Sequence, residues 1–196
     1  MSILVFWSHC ANLSPASTAT GLVALQLAKF AGLRTIGVVD VSKHGERLLQ
    51  AGADLLVDRF DTDRAVSIIR GVTREKCRFG FDTVGKDTAA ILESALSNNS
   101  EQKSHLIGLT GVPKTAGVNI VHHIVPIKAF HTFTDVGESL MAWLERLLLN
   151  DKLITPQVEI ASGGLEGVNA ALDVLRKGAA AGKRIVVPVQ QVSAAA

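Results

Sequence analysis

Apolar positions along the chain follow two alternating rhythms. Short continuous runs, rich in Val, Ile and Leu, suit strands buried on both faces, and longer segments between them repeat their apolar residues every three or four positions. That alternation predicts βαβ units and a mostly parallel sheet. The first strand is Ile3-Leu4-Val5-Phe6-Trp7, followed by a helix over 20–30 with Leu22, Leu25 and Ala28 on its apolar side and Gly32 as its stop. A second strand spans 34–40, a helix runs from Ser42 to about Gly52, and Leu55-Leu56-Val57 forms a third strand. Residues 61–71 read as a helix and 79–84 as a fourth strand closed by Gly85, after which Asp87 is expected to cap a helix ending near Leu96. The polar stretch 97–103 reads as a loop, 105–109 as a fifth strand, 111–113 as a turn and 118–125 as a sixth strand. Beyond these come an apolar helix over 136–149, a strand over 158–160, a helix over 165–176 and a last strand over 183–189. The fold class is therefore α/β, a doubly wound parallel sheet.

Composition narrows the function classes. A chain of 196 residues, 47% hydrophobic, is long enough to bury one full core. Aromatic residues make up 5%, with no Tyr, so an aromatic binding platform is not expected. Lys plus Arg number 20 against 18 Asp plus Glu, giving +2 with neither sign gathered into a tail, and no nucleic-acid partner is implied. Cys10 and Cys77 are too few and too far apart for a disulfide framework or a zinc cluster, so a reducing, cytoplasmic location is expected. Neither a signal peptide nor a membrane span is read, because charges interrupt every apolar stretch before it reaches spanning length. His122, His123 and His131 have no accompanying carboxylate or thiolate cluster in the sequence, and no metal site is expected from them.

The local chemistry concentrates after the first two strands. Ser17-Thr18-Ala19-Thr20-Gly21 opens a helix after a strand, and Asp40 follows nineteen residues later at the end of the second strand. That is close to the separation of about 20 residues between a phosphate-binding turn and a ribose-binding carboxylate. Backbone N–H groups at a helix start can hold a pyrophosphate, and a small residue lets helix and strand approach. A complete GxGxxG is missing. Asp40 favours NAD if it accepts from a ribose 2′-hydroxyl, whereas Lys43, His44 and Arg47 favour NADP if they pair with a 2′-phosphate.

The segment from Thr18 to Lys29 resembles the first nucleotide-binding helix of the medium-chain dehydrogenases/reductases, in the zinc-independent branch of quinone-reductase-like and enoyl-reductase-like enzymes. Further blocks agree in order and spacing. Ala51-Gly52-Ala53-Asp54 is similar to the element before the family's third strand, Phe81-Asp82-Thr83-Val84-Gly85 to its fourth-strand ending, and Ile107-Gly108-Leu109 to its fifth-strand ending. Gly163-Gly164-Leu165-Glu166-Gly167 with Ala171-Leu172, and Gly182-Lys183-Arg184-Ile185-Val186-Val187, are similar to its last helix and closing strand.

The resemblance implies a Rossmann domain over 1–150 and a strand-helix-strand segment over 151–196 left over from a GroES-like catalytic domain that this sequence does not contain. It implies NADP(H), a small carbonyl or enoyl substrate, hydride transfer, and a homodimer paired through the sixth strand. Cofactor contacts are expected at Ser17, Thr18, Ala19, Thr20, Gly21, Asp40, Ser42, Lys43, His44, Val84, Gly108 and Leu109. No catalytic acid has a matching position. The alternative is a remnant without turnover that serves as a nucleotide-binding or dimerisation module. The sequence departs from the family at Ser8 to Ala16, a glycine-free insertion with Pro15 that is expected to limit approach of a pyrophosphate.

Overall fold

A computed structural model describes residues 3–7, 16–99, 101–126, 128–177 and 183–189. The expected insertion at 8–15 lies outside the described residues. Six parallel strands form the main sheet: β1 (Ile3–Trp7), β2 (Arg34–Val39), β3 (Leu55–Asp58), β4 (Phe79–Asp82), β5 (Ser104–Gly108) and β6 (Ile120–Ile124). Their order is β3-β2-β1-β4-β5-β6, so the winding reverses between β1 and β4. Helices α1 (Ala16–Phe30), α2 (Val41–Gln50), α3 (Thr62–Thr73) and α4 (Lys86–Ala95) make the connections as far as β5, as parallel strands require.

Burial explains the apolar runs. Val5, Ile36, Val38 and Val57 sit under α3 and α4, whose Ala65, Ile69, Ala89, Leu92 and Ala95 complete one cluster. On α1, Leu22, Leu25 and Ala28 join Ala51, Ala53, Leu48 and Leu56 in a second. The Ala51-Gly52-Ala53-Asp54 block works as a brace. Gly52 turns at φ +95°, a conformation costly for residues with a Cβ. Asp54 then accepts from the Lys29 ammonium at 3.0 and 2.9 Å and from the Thr35 amide at 2.7 Å, tying α1 to the start of β2.

Several boundaries differ from those read in the sequence, each for a local reason. The first helix begins at Ala16, four residues before Thr20, so Ala16 belongs to α1 and not to a loop. β4 ends at Asp82 because its carboxylate takes the N–H groups of Val84 and Gly85, both at 2.8 Å, and so turns the chain out of the ladder. Asp87 does not cap α4: Gly85 occupies the cap position with no side-chain bond, and Asp87 lies in the first turn, where its charge still suits the helix dipole. Two short elements were not expected, α5 (Ala129–Thr132) and a 3₁₀ turn at Gly164–Gly167.

After β6 the chain forms α6 (Thr134–Leu149), β7 (Gln157–Ile160), α7 (Val168–Arg176) and β8 (Lys183–Val186). β7 and β8 pair in parallel as a separate two-stranded sheet. Three contacts among the described residues bind this region to the Rossmann core. Trp143 of α6 meets Phe30 of α1 edge to face at 6.3 Å. The buried amide of Gln26 donates to the Ile154 carbonyl at 3.0 Å and accepts from the Ile154 N–H at 2.7 Å, while Arg47 donates to the Thr155 carbonyl at 3.1 Å. No helix among the described residues is long and apolar enough to cross a membrane.

Candidate dinucleotide site

In a doubly wound sheet the binding crevice opens at the carboxyl ends of the strands, where the winding reverses. Here that point lies between β1 and β4, with the start of α1 above it. Ser17, Thr18 and Ala19 belong to the first turn of α1, where backbone N–H groups have no partner within the helix, and Thr20 and Gly21 belong to the second turn. Gly21 is buried and Thr20 exposed. The remaining predicted residues form two groups on either side.

The first group stands at the ends of β2 and β3. Asp40 is the N-cap of α2 and is only 3% exposed. Its Oδ1 accepts from the Ser42 hydroxyl at 2.6 Å and the Lys43 amide at 3.3 Å, and Lys43 Nζ lies 3.6 Å from Oδ2. The Ser42 hydroxyl above all, aided by the Lys43 amide and the charges of Lys43 and Arg59 and opposed by burial, holds this carboxyl below the usual range. Asp40 is thus ionised, hidden and largely committed to its own helix. The Lys43 side chain, by contrast, is 70% exposed. His44 is half-buried, its Nε2 has no hydrogen-bond partner among the described residues, and burial lowers its pKa, leaving a neutral ring beside the cap.

Arg59 completes this group, and sequence reasoning missed it. It follows β3 directly, donates its amide to the Val39 carbonyl at 3.0 Å, and sets its guanidinium 4.5 Å from the Phe60 ring. The signal was present: a cation one residue past a strand, on the same edge as Asp40, is placed by topology even though 19 residues separate the two in sequence.

The second group stands at the ends of β4 and β5. Val84 rides on the turn held by Asp82, and Leu109 donates its amide to the Asp82 carbonyl at 2.9 Å, so the two endings are joined. Gly108 has no room for a side chain, since a Cβ there would come within 2.2 Å of the Gly111 carbonyl oxygen. Asp82 is fully buried; among the described residues its Oδ2 and the neighbouring Thr83 Oγ1 have no hydrogen-bond partner, and burial pushes the Asp82 carboxyl up, opposed by the Val84 and Gly85 amides. Arg59 and Leu109 end strands four spacings apart, roughly 19 Å, which suits an extended ligand with two different ends.

Three features of this crevice bear on a nicotinamide dinucleotide: a helix start at the switch point, exposed positive charge at one end, and, at the other, a tight glycine turn with buried polar atoms that have no partner among the described residues. Among the described residues the histidines do not form a zinc site. His122 pairs with Glu93, and His123 Nε2 lies 2.9 Å from His105 Nδ1. Among the described residues no three His, Cys, Asp or Glu side chains are grouped to hold a metal ion.

Residues 19–129 match the zinc-binding dehydrogenase family. Among curated proteins, the trans-enoyl reductase ACTTS2 of Alternaria alternata is 27% identical over 188 residues, covering 89% of this chain and 53% of the relative. The trans-enoyl reductase TOXD of Cochliobolus carbonum is 36% identical over 95 residues, covering 48% of this chain and 31% of the relative. Among solved structures, a quinone oxidoreductase from Pseudomonas syringae superposes with a TM-score of 0.73 at 16% identity, covering 94% of this chain and 57% of the other. The Escherichia coli quinone oxidoreductase complexed with NADPH gives 0.67 at 18%, with the same two coverages. The chain spans about half the length of the curated relatives ACTTS2 and, over the matched part, less of TOXD. A family match over more than half of the chain, on a sheet of this strand order, means that the protein belongs to the zinc-binding dehydrogenase family and is the C-terminal part of a medium-chain dehydrogenase/reductase.

Proposed function

We propose that this chain is the nucleotide-binding part of an NADP(H)-dependent oxidoreductase that passes hydride between a nicotinamide ring and a small enoyl or carbonyl substrate. The observation that carries the reading is the group at the ends of β2 and β3, where an exposed Lys43 ammonium and Arg59 flank an Asp40 carboxylate already occupied as a helix cap. A committed carboxylate is a poor acceptor for a ribose hydroxyl. An exposed ammonium, held only by a 3.6 Å contact to Asp40 Oδ2, is a good partner for a 2′-phosphate, through a charge-assisted contact worth about 1.5–3 kcal/mol. The trans-enoyl reductase relatives, and the quinone oxidoreductase neighbour complexed with NADPH, support the same chemistry.

In this reading the first-turn N–H groups at Ser17, Thr18 and Ala19 receive the pyrophosphate, with Thr20 and Gly21 behind them. Lys43, with Ser42, His44 and Arg59, receives the adenosine end, and Val84, Gly108 and Leu109 receive the nicotinamide end. The dinucleotide supplies the hydride, and the protein orients the ring and keeps water from it. The segment 151–196 packs on a GroES-like catalytic domain in this reading, and that domain contributes the remaining substrate contacts.

Fluorescence titration of the purified chain with NADPH and NADH tests the proposal. NADPH is expected to bind more tightly, and Lys43→Glu to remove the preference; equal affinities in the unaltered chain overturn the NADP assignment. The outer edge of β6, unpaired among the described residues and with Ile124 and Val125 exposed, favours a second reading as a dimerising module without turnover. NADPH oxidation in a screen of enones and quinones separates the two.

A further inference from the structure

We infer that Glu93, on α4, is a positioning residue that fixes the loop between β5 and β6 in the shape the nicotinamide end of the crevice requires. The inference rests on the dinucleotide reading above. Leu109 opens this loop and Asn119 closes it, and Gly117 near its far end donates its N–H to Glu93 Oε1 at 2.7 Å. The other carboxylate oxygen of Glu93 meets His122 Nε2 on β6. One side chain thereby ties a helix to both the loop and the strand that follows it. The arrangement is close-fitting, because a Cβ on Gly117 would lie 2.7 Å from Glu93 Oε1.

Glu93 and His122 are both largely buried, at 15% and 12% side-chain exposure. Removing either partner leaves the other polar group without its bond in a part-buried site, which is more costly than losing a fully exposed pair. The carrier is rigid. α4 is anchored to the sheet by Ala89, Leu92 and Ala95, all fully buried. At its other end the stem of Lys86 packs against Gly111, 3.2 Å from where a Cβ would stand, in the stretch that folds back over Gly108. Lys86 and Glu93 are seven residues apart, about two helical turns. The same helix therefore holds the loop near its beginning and near its end, and Leu109 and Gly108 lie at the beginning.

The test uses the whole chain with Glu93→Ala and Glu93→Gln, checked for folding by thermal melting. Two quantities are read: hydrogen exchange of the Gly117 amide, and affinity for NADPH compared with 2′-phospho-ADP-ribose, which lacks the nicotinamide. In Glu93→Ala, Gly117 exchange is expected to speed up and NADPH affinity to fall about tenfold, the scale of one lost charged hydrogen bond, with 2′-phospho-ADP-ribose unaffected. Glu93→Gln keeps an oxygen that accepts from Gly117 and is expected to recover part of both. Equal weakening of the two nucleotides overturns the positioning role, as does faster Gly117 exchange with NADPH affinity unchanged. If the unaltered chain binds neither nucleotide, the dinucleotide reading fails and this assignment fails with it.

Discussion

Asp40 shows how one side chain is claimed by structure before it is available to a ligand. Its carboxylate caps α2, and the Ser42 hydroxyl and Lys43 amide hold it ionised. Asp40→Ala is expected to cost about 1 kcal/mol in chemical denaturation, the usual value of an N-cap, and Asp40→Asn clearly less. Because the folded pKa lies below that of the unfolded chain, near ~3.9, the stabilisation is fully present above about pH 4 and lost as pH falls through the folded value. Asp40→Ala should therefore lower stability at pH 7 and converge with the unaltered chain in strong acid. A difference that persists unchanged in strong acid would count against the ionised cap. Asp82 is the opposite case: burial raises its pKa, so its charge is a burden near neutral pH while its Oδ1 still serves two amides. Asp82→Asn, with its carbonyl oxygen on those amides, is expected to match or exceed the unaltered stability at pH 7. Asp82→Ala should lose about 1–3 kcal/mol by orphaning them. Loss of stability in Asp82→Asn equal to that in Asp82→Ala would contradict this.

Among the elements, the strands and helices of the Rossmann core were legible in the sequence because each carries its own period and stop signal. Val5, Val38 and Leu106 are buried because a doubly covered parallel sheet hides both faces. Boundaries were less legible wherever a side chain decides them. The end of β4 depends on which N–H groups the Asp82 carboxylate captures, and the extra turn of α1 at Ala16 begins in a stretch without an apolar repeat. Asp40 was findable by its spacing from Gly21, whereas its commitments to Ser42 and Lys43 were not, since spacing fixes a position and says nothing of lone pairs already used. Arg59 and Glu93 were missed, and His122 was named without its carboxylate partner, because topology, not sequence distance, brings them to their partners. The edge strand β6 carries its own prediction. Among the described residues it pairs only with β5, it exposes Ile124, and the homodimer proposed through it should appear in sedimentation as a concentration-dependent dimer. Ile124→Lys should shift it to monomer; a wild-type monomer at all concentrations would remove the dimer from the account.

At the scale of the whole molecule, the described residues form a Rossmann core with a C-terminal region clamped to it by Gln26 and Arg47. That region exposes Val158, Ile160, Leu165, Val186 and Val189, and it borders a groove on α1 lined by Val23, Ala24, Leu27 and Pro156. Apolar surface of this kind is what a strand-helix-strand unit would offer a catalytic domain in the proposed reading. The core itself holds the elements of the crevice: the α1 start, the cationic group after β2 and β3, and the joined endings of β4 and β5. Hydrogen exchange with and without NADPH tests that arrangement most directly, because it reports where a nucleotide sits without requiring turnover. The account predicts protection at the first turn of α1, at Lys43 and His44, at Arg59, and at 84–85 and 108–112, with NADH protecting Lys43 and Arg59 less. Protection confined to other surfaces, or none at saturating NADPH, would contradict it.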